Sequence, residues 1–132
     1  LGLGERVIFT GEVPSASRWM QAFDVFCFPS TDEGMPNVIL EAAAAGLPIV
    51  AWRYPFIEEL LVDGEMAILV PPGDLDGMHR ALLALIDDSQ LRKRLGAAAQ
   101  HHITNNFSLK RYVLEMTAVY DSLLSEISNP NT

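Results

Sequence analysis

The residues best suited to chemistry lie between positions 29 and 42, where an apolar run ends and a helical pattern begins. Glu33 stands in the connecting segment, and Glu41 follows it with seven residues between them. Asn37 lies one helical turn before Glu41, so the two side chains share one stripe of the helix. The free N–H groups of a first helical turn, together with the helix dipole, favour an anion such as a phosphate. One loop and one helix would therefore offer a phosphate contact and two carboxylates that accept hydrogen bonds from sugar hydroxyls.

Small and rigid residues surround these carboxylates. Gly34 allows the backbone to approach a ligand closely or to adopt a positive φ. Pro36 fixes the chain just before the helix, and Asn37 can cap that helix. The alternative interpretation is structural: Glu33 is then a solvated loop carboxylate that complements the helix dipole, and Glu41 is an exposed helical residue. Spacing alone leaves both interpretations open.

The elements that must position these residues form an alternation of apolar runs and helical patterns. The spacing predicts strands over 6–10, 25–28, 48–52 and 67–70, and helices over 15–23, 37–45, 56–62, 75–86, 89–102 and 108–127. This alternation predicts an α/β fold: a Rossmann-like parallel sheet of about four strands with helices on both faces. The first βαβ unit of a full doubly wound sheet is absent from that pattern. Ligands of such sheets bind beyond the carboxyl ends of the strands, which is where segment 29–36 lies.

Length and composition narrow the class of protein. The chain has 132 residues, enough for about one domain. Nine Lys and Arg against seventeen Asp and Glu give a net charge of −8, which argues against a nucleic-acid-binding surface. No segment has the pattern of a membrane span or a signal peptide. Because the first residue is Leu1 instead of Met, we expect the chain to be processed or cut from a longer one.

Other reactive side chains have structural interpretations. Cys27 lies inside an apolar run, which predicts a buried small hydrophobe. The three histidines lack partners at metal-ligand spacing, so we expect no metal site. Trp19 and Met20 are predicted to belong to the core. The basic run 92–94 is typical of a solvated helix face, with a contact to anionic lipid as the alternative. Arg53 follows a predicted strand, where a surface arginine is the first interpretation and an anion contact the second.

Several familiar motifs are missing. No Gly-Lys pair exists, so the chain has no P-loop. No G-x-S-x-G elbow exists, which excludes the usual hydrolase serine. Gly2-x-Gly4 precedes a predicted strand instead of following one, which argues against a dinucleotide fingerprint.

The sequence resembles the family 4 retaining glycosyltransferases, which have the GT-B fold. The string EGMPNVILEAAAAGLPIVA, residues 33–51, is similar to the E-x7-E signature of that family. Further similar segments are 6–11 (RVIFTG), 22–30 (AFDVFCFPS), Glu59 with 62–64 (VDG), 69–74 (LVPPGD), 106–108 (NFS) and Tyr120. The resemblance extends from about position 6 to position 124.

The resemblance implies a role for each matching residue. Glu33, as the catalytic residue, would contact the hydroxyls of the transferred sugar near the reacting carbon, and Glu41 would accept hydrogen bonds from the ribose. The helix that Asn37 and Val38 open would face the diphosphate, and Gly11 would leave room for the donor. The complete implied donor-binding set is Gly11, Glu33, Gly34, Met35, Pro36, Asn37, Val38 and Glu41.

The resemblance also implies the organisation of the chain and its partners. Residues 1–127 would be part of a C-terminal, donor-binding domain, and 128–132 a frayed tail. A nucleotide-diphosphate sugar would be the donor, a carbohydrate or lipid-linked molecule the acceptor, and no cofactor or metal would be needed. The cations that grip the diphosphate in this family and the N-terminal acceptor domain are not in this sequence, so we expect the chain alone to be inactive. The location would be cytoplasmic, with a peripheral contact to the inner face of the membrane.

Two alternatives remain open at this stage. One is another GT-B enzyme, such as a nucleotide-sugar epimerase or a phosphorylase. The other is a non-catalytic α/β binding module. The positions that depart from the family pattern are Ala67, where a glycine is usual, and the loop 52–55.

Overall fold

The computed structural model describes residues 2–128 as helices, strands and their connections. The strands are β1 (Phe26–Phe28), β2 (Ile49–Trp52) and β3 (Ala67–Val70). The helices are α1 (Ala16–Trp19), α2 (Asn37–Ala44), α3 (Pro55–Glu58), α4 (Leu75–Asp87), α5 (Ser89–Asn106) and α6 (Leu109–Ser128), with a short 3-10 helix at Met20–Ala22. The predicted tail beyond Ser128 lies outside the described residues.

The three strands form one parallel sheet in the order β1-β2-β3. Phe26 pairs with Ile49 in the first ladder, and Ile49 pairs with Ala67 in the second. Each pair of neighbouring strands is joined through a helix, because parallel neighbours need a crossover connection. The predicted α/β fold with a parallel sheet is confirmed, although the sheet has three strands where about four were expected.

Helices cover both faces of the sheet, as the sequence predicts. On β2, Ile49 and Ala51 pack in a cluster with buried residues of α2, α3 and α5. Val50 and Trp52 point to the other face and pack in a second cluster with α4 and Leu95. All four residues of β2 are buried, which explains why its sequence is apolar throughout instead of alternating.

A close backbone approach joins α2 to α5. Gly46 lies just past the end of α2 and has φ +76, the left-handed conformation in which glycine commonly ends a helix. A Cβ atom added to Gly96 on α5 would lie 2.1 Å from the carbonyl oxygen of Gly46. Gln100 of α5 also donates a hydrogen bond to the Ala44 carbonyl at 2.8 Å. The C-terminal end of α2 is therefore fixed against α5, and its N-terminal end faces the carboxyl side of the sheet.

The predicted strand at 6–10 is wrong. Residues 7–10 belong to no strand, and the Ile8 and Phe9 side chains are 83% and 93% exposed. The sheet edge beside β1 has no strand partner among residues 2–128. A strand needs a neighbour to bond its N–H and C=O groups, and this apolar run has none within the described part of the chain.

Two predicted core residues also lie elsewhere. Cys27 is exposed, although it lies on β1 and is paired with Val50 of β2. Its Sγ lies 3.7 Å from the Met78 sulfur, and partial burial raises the pKa of the thiol. Trp19 is half-exposed, while its neighbour Met20 is buried as expected.

Candidate functional site

The candidate site is built on the connection between the carboxyl end of β1 and the start of α2. Ile39, Ala42 and Ala43 are fully buried and hold α2 against the sheet. Asn37 and Glu41, at the spacing of one helical turn, lie on the exposed side of the same helix. The anchoring of one side of α2 thus leaves the other side, with Glu41, free to meet a ligand.

The start of α2 differs from the predicted arrangement. Pro36, which is buried, is the N-cap residue, and Asn37 is the first helical residue. No side chain caps the helix, so the predicted cap by Asn37 is wrong. Pro36 has extended backbone angles (φ −77, ψ 94) and Asn37 is already helical, so the helix begins one residue earlier than a cap at Asn37 requires. The N–H groups of an uncapped first turn remain available to an anion.

Gly34 and Gly11 serve different backbone purposes. Gly34 does not adopt a positive φ, and a Cβ atom there would meet no neighbour within 4 Å. The positive φ predicted as one possibility for Gly34 is therefore not adopted. The other possibility, a close approach of a ligand to its backbone, stays a prediction. Gly11 adopts φ +62 in an exposed segment, a conformation that glycine accepts without strain.

Glu33 is exposed and is held by its own loop. The Ser30 hydroxyl donates a hydrogen bond to Glu33 Oε1 at 2.9 Å. Ser30 follows β1 by two residues, so this bond ties the carboxylate to the end of the strand. The other carboxylate oxygen remains available to accept hydrogen bonds from a ligand.

Glu41 lines a shallow depression between α1 and α2, of about 310 Å³. Ser17, Arg18 and Gln21 line the same depression. A carboxylate, a guanidinium, a hydroxyl and an amide therefore border one surface that is open to solvent. Arg18 belongs to no motif in the sequence; its only signal is the position of Ser17, Arg18 and Gln21 on one side of the predicted helix.

Met35 lines a second and larger cleft, of about 720 Å³, between the start of α2 and the junction of α5 with α6. Glu59, His102, Arg111 and Tyr112 are among its other lining residues. None of the described clefts is lined by both Glu33 and Glu41. The convergence of these two carboxylates on one ligand therefore stays a prediction.

Arg53 is engaged within the fold. Its guanidinium forms an ion pair with Asp63 and donates a hydrogen bond to the Leu69 carbonyl at 3.1 Å. Asp63 in turn accepts a hydrogen bond from the Leu69 N–H at 2.9 Å. These contacts link the segments that follow β2 to β3, so Arg53 stabilises the loops instead of reaching toward an anion.

The basic run on α5 is largely occupied in the same way. Arg92 donates to the carbonyls of Leu85 and Ile86, and Arg94 donates to the carbonyl of Gly64. Within residues 2–128, no group of three or more His, Cys, Asp or Glu side chains is arranged to hold a metal ion. The helices of this part of the chain include none that is long and apolar enough to cross a membrane.

Comparison with known proteins identifies the family. The sequence model of the family described as "Glycosyl transferases group 1" matches residues 1–88. The chain is similar to the lipopolysaccharide core biosynthesis mannosyltransferase LpcC of Rhizobium leguminosarum bv. viciae, with 35% identity over 125 residues. That match covers 95% of this chain and 36% of LpcC, so the chain spans about a third of the length of this relative.

Solved structures agree with the sequence match. Anabaena Alr3699/HepE in complex with UDP superposes with a TM-score of 0.87 at 27% identity, covering 92% of this chain and 34% of HepE. The C-terminal domain of the group 1 glycosyl transferase LpcC from Francisella tularensis superposes with a TM-score of 0.69 at 26% identity. This second match covers 78% of this chain and 53% of that domain. The chain therefore belongs to the group 1 glycosyl transferases, and its parallel sheet with helices on both faces matches the C-terminal domain of their GT-B fold.

Proposed function

We propose that this chain is the donor-binding part of a family 4 retaining glycosyltransferase that transfers a sugar from a nucleotide-diphosphate sugar to an acceptor hydroxyl. One observation carries the proposal. In a chain of this family, the loop that holds Glu33 and the uncapped start of α2 lie together at the carboxyl end of β1. A retaining mechanism, the donor-binding role and the E-x7-E assignment of Glu33 and Glu41 are parts of this proposal.

The start of α2 would bind the diphosphate. The N–H groups of Asn37 and Val38 belong to the first helical turn, which has no side-chain cap. When the bond between the anomeric carbon and the diphosphate oxygen breaks, its electron pair stays on the diphosphate. The positive end of the α2 dipole stabilises that developing charge, and protein cations outside this chain would add to it.

The two carboxylates would hold the two sugar rings of the donor. Glu33, fixed by Ser30, would accept hydrogen bonds from the transferred sugar close to its reacting carbon. Glu41 would accept them from the ribose in the depression beside α1. The backbone of Gly34, Met35 and Pro36 would line the sugar and phosphate between these two points. The acceptor hydroxyl would form the new bond to the anomeric carbon and lose its proton.

The partners of the reaction extend beyond this chain. The acceptor, a carbohydrate or a lipid-linked molecule, would be bound by the N-terminal domain of the same enzyme. We place the complete enzyme in the cytoplasm with a peripheral contact to the inner face of the membrane. HepE has been solved with UDP and UDP-glucose, which makes UDP the first ligand to test.

The first experiment is a titration of the isotope-labelled chain with UDP and, separately, GDP, followed by NMR. We expect amide shifts at residues 34–38 and a saturable binding curve for one of the two nucleotides. Glu41→Gln replaces a charged acceptor with a neutral amide, so the dissociation constant should rise about 10- to 100-fold. Glu65→Gln changes an exposed glutamate in a turn remote from α2 and serves as the matched control. Equal affinity for the wild type and Glu41→Gln would contradict the ribose assignment.

The second experiment uses a full-length enzyme that contains this chain. Glu33→Ala should lower kcat more than it raises the KM for the donor, because the contact tightens as positive charge develops on the sugar. The chain by itself should show no turnover with any donor and acceptor pair. A Glu33→Ala enzyme with wild-type kcat would remove Glu33 from the reacting centre.

A further inference from the structure

Arg18 is exposed and lines the same depression between α1 and α2 as Glu41. Among the side chains that the structure describes, the Arg18 guanidinium has no hydrogen-bond or ion-pair partner, and it forms no ion pair with Glu41. By contrast, the guanidinium groups of Arg53, Arg92 and Arg94 donate to acceptors within the fold. The N–H donors of Arg18 therefore remain available to a ligand in the depression.

The order of the groups along α2 indicates which part of a nucleotide reaches Arg18. In the proposed donor site, the diphosphate binds at the first turn, which Asn37 opens, and the ribose binds Glu41. From the rise of an α-helix, Glu41 lies about 6 Å along the axis from Asn37, and Ala44 lies about 5 Å further. A ribose carries its phosphate and its base on opposite sides of the ring. The base therefore continues along α2, away from the diphosphate, to the part of the depression that Ala44 and Ala45 line.

The composition of the depression fits a planar heterocycle. On the α2 side, Ala44 is exposed and Ala45 is half-buried, and these small apolar side chains leave room for the face of a ring. On the other side, Ser17, Arg18 and Gln21 supply polar groups for the edge of that ring. An apolar wall with a few convergent polar groups is the usual composition of a small-molecule site.

We propose, on the basis of the donor-binding function proposed above, that Arg18 selects guanine as the base of the donor. Guanine presents two adjacent acceptors, O6 and N7, which a guanidinium binds with a pair of N–H groups. Adenine places an amino donor beside N7, and that donor opposes the N–H groups of Arg18. Uracil has no adjacent pair of acceptors, because an N–H group lies between its two carbonyl groups. The donor is therefore a guanosine-diphosphate sugar.

Calorimetric titration of the chain with GDP, UDP and 7-deaza-GDP tests the base. We expect GDP to bind about 10- to 100-fold more tightly than UDP, which is the discrimination typical of one bidentate arginine–guanine contact. In 7-deaza-GDP, a C–H group replaces N7. This nucleotide should therefore lose most of the advantage of GDP over UDP.

Three variants test the residue. Arg18→Gln should raise the dissociation constant for GDP to about that for UDP and leave the UDP constant within about twofold. Arg18→Lys keeps the charge but loses the planar pair of donors, so the preference for GDP should disappear there too. Arg80→Gln changes an exposed arginine on α4, which packs on the other face of the sheet, and should leave both constants unchanged. Circular dichroism confirms that the variants keep the fold.

The outcomes separate the role of Arg18 from the function on which it rests. If the wild-type chain binds UDP as tightly as GDP, the selection of guanine is overturned while nucleotide binding stands. Equal weakening of GDP and UDP by Arg18→Gln overturns it as well, because Arg18 then contacts the ribose or the phosphates that both nucleotides share. A chain that binds neither nucleotide overturns the proposed function, and the role of Arg18 with it.

Discussion

Two apolar runs of similar composition adopt different structures in this molecule. Residues 49–52 form β2 and are completely buried, whereas residues 7–10 are exposed and form no strand. The difference lies in their neighbours. β2 has a strand on each edge and helices on each face, while 7–10 has no strand beside it among the described residues. A buried strand is thus a property of the surrounding sheet more than of its own sequence.

The doubly wound strand order accounts for this difference. In the order 3-2-1-4-5-6, the third strand pairs with the second, and the fourth pairs with the first. If residues 6–10 are counted as the third strand, β1, β2 and β3 take the places of the fourth, fifth and sixth. In that numbering, the second strand is the partner of 6–10, and the first strand is the partner for the free edge of β1. Both strands are missing from the predicted pattern. Within residues 2–128 neither of these two strands is present, and both observations follow from that.

The difference between residues 49–52 and residues 7–10 is tested most directly by the same substitution in each run. Ile49→Ala removes a fully buried side chain and should lower the free energy of unfolding by about 2–5 kcal/mol. Ile8→Ala removes an exposed side chain and should change it by less than about 0.5 kcal/mol. Chemical denaturation followed by circular dichroism measures both. Equal effects would show that residues 6–10 are packed in solution.

A second test asks whether the covered end of α2 is as tightly packed as the distances indicate. Gly96→Ala places a methyl group against the Gly46 carbonyl and should lower the free energy of unfolding by about 1–3 kcal/mol. Gly4→Ala adds the same methyl group where nothing lies within 4 Å, so it should be nearly neutral. The same denaturation measurement applies. An unchanged Gly96→Ala chain would mean that α5 moves away from α2 without cost.

The smallest expected effect concerns the edge strand β1, which is intermediate between the buried β2 and the exposed residues 7–10. Burial raises the pKa of the Cys27 thiol, so the folded chain keeps the thiol proton to a higher pH than the unfolded chain. As the pH rises above the ordinary thiol pKa, the unfolded chain loses the Cys27 proton before the folded chain does. The free energy of unfolding should therefore decrease in that pH range. Cys27→Ser should lack this alkaline decrease when the two chains are unfolded in urea at neutral and alkaline pH. Faster reaction of Cys27 with iodoacetamide in the folded than in the unfolded chain would contradict the direction of the shift.

Much of the fold follows from local pattern. Alternation of apolar runs and helical spacing predicted β1, β2, β3 and the positions of the longer helices to within a few residues. Gly46 was predictable because a helix that turns back sharply needs a left-handed residue at its end. Ser108, just before α6, accepts a hydrogen bond from the Arg111 N–H at 3.3 Å, which is the bond expected of a serine at a helix start. The cap of α5 is Asp88, whose carboxylate accepts hydrogen bonds from the Gln90 and Leu91 N–H groups.

The candidate site was predictable in its residue types but not in its grouping. The spacing of Glu33 and Glu41 identified the loop and the helix that follows β1. The association of Glu41 with Arg18 was not predictable, because α1 and α2 are far apart in sequence and meet only through packing. The ion pair of Arg53 with Asp63 could not be predicted from the sequence either, because it depends on the relative positions of two loops beside neighbouring strands.

The sequence by itself determined the positions of the longer helices, the apolar segments that are able to form strands, that the sheet is parallel, and which loop at the carboxyl edge of the sheet holds the candidate residues. These depend on periodicity and on residue type, which are local quantities. Only the tertiary structure decided that 6–10 stays unpaired, that Pro36 rather than Asn37 is the N-cap residue of α2, and that Cys27 and Trp19 remain accessible. Each of these features depends on which residues lie close enough to bond a backbone group or to cover a side chain. The packing of the whole chain determines which residues are neighbours in space.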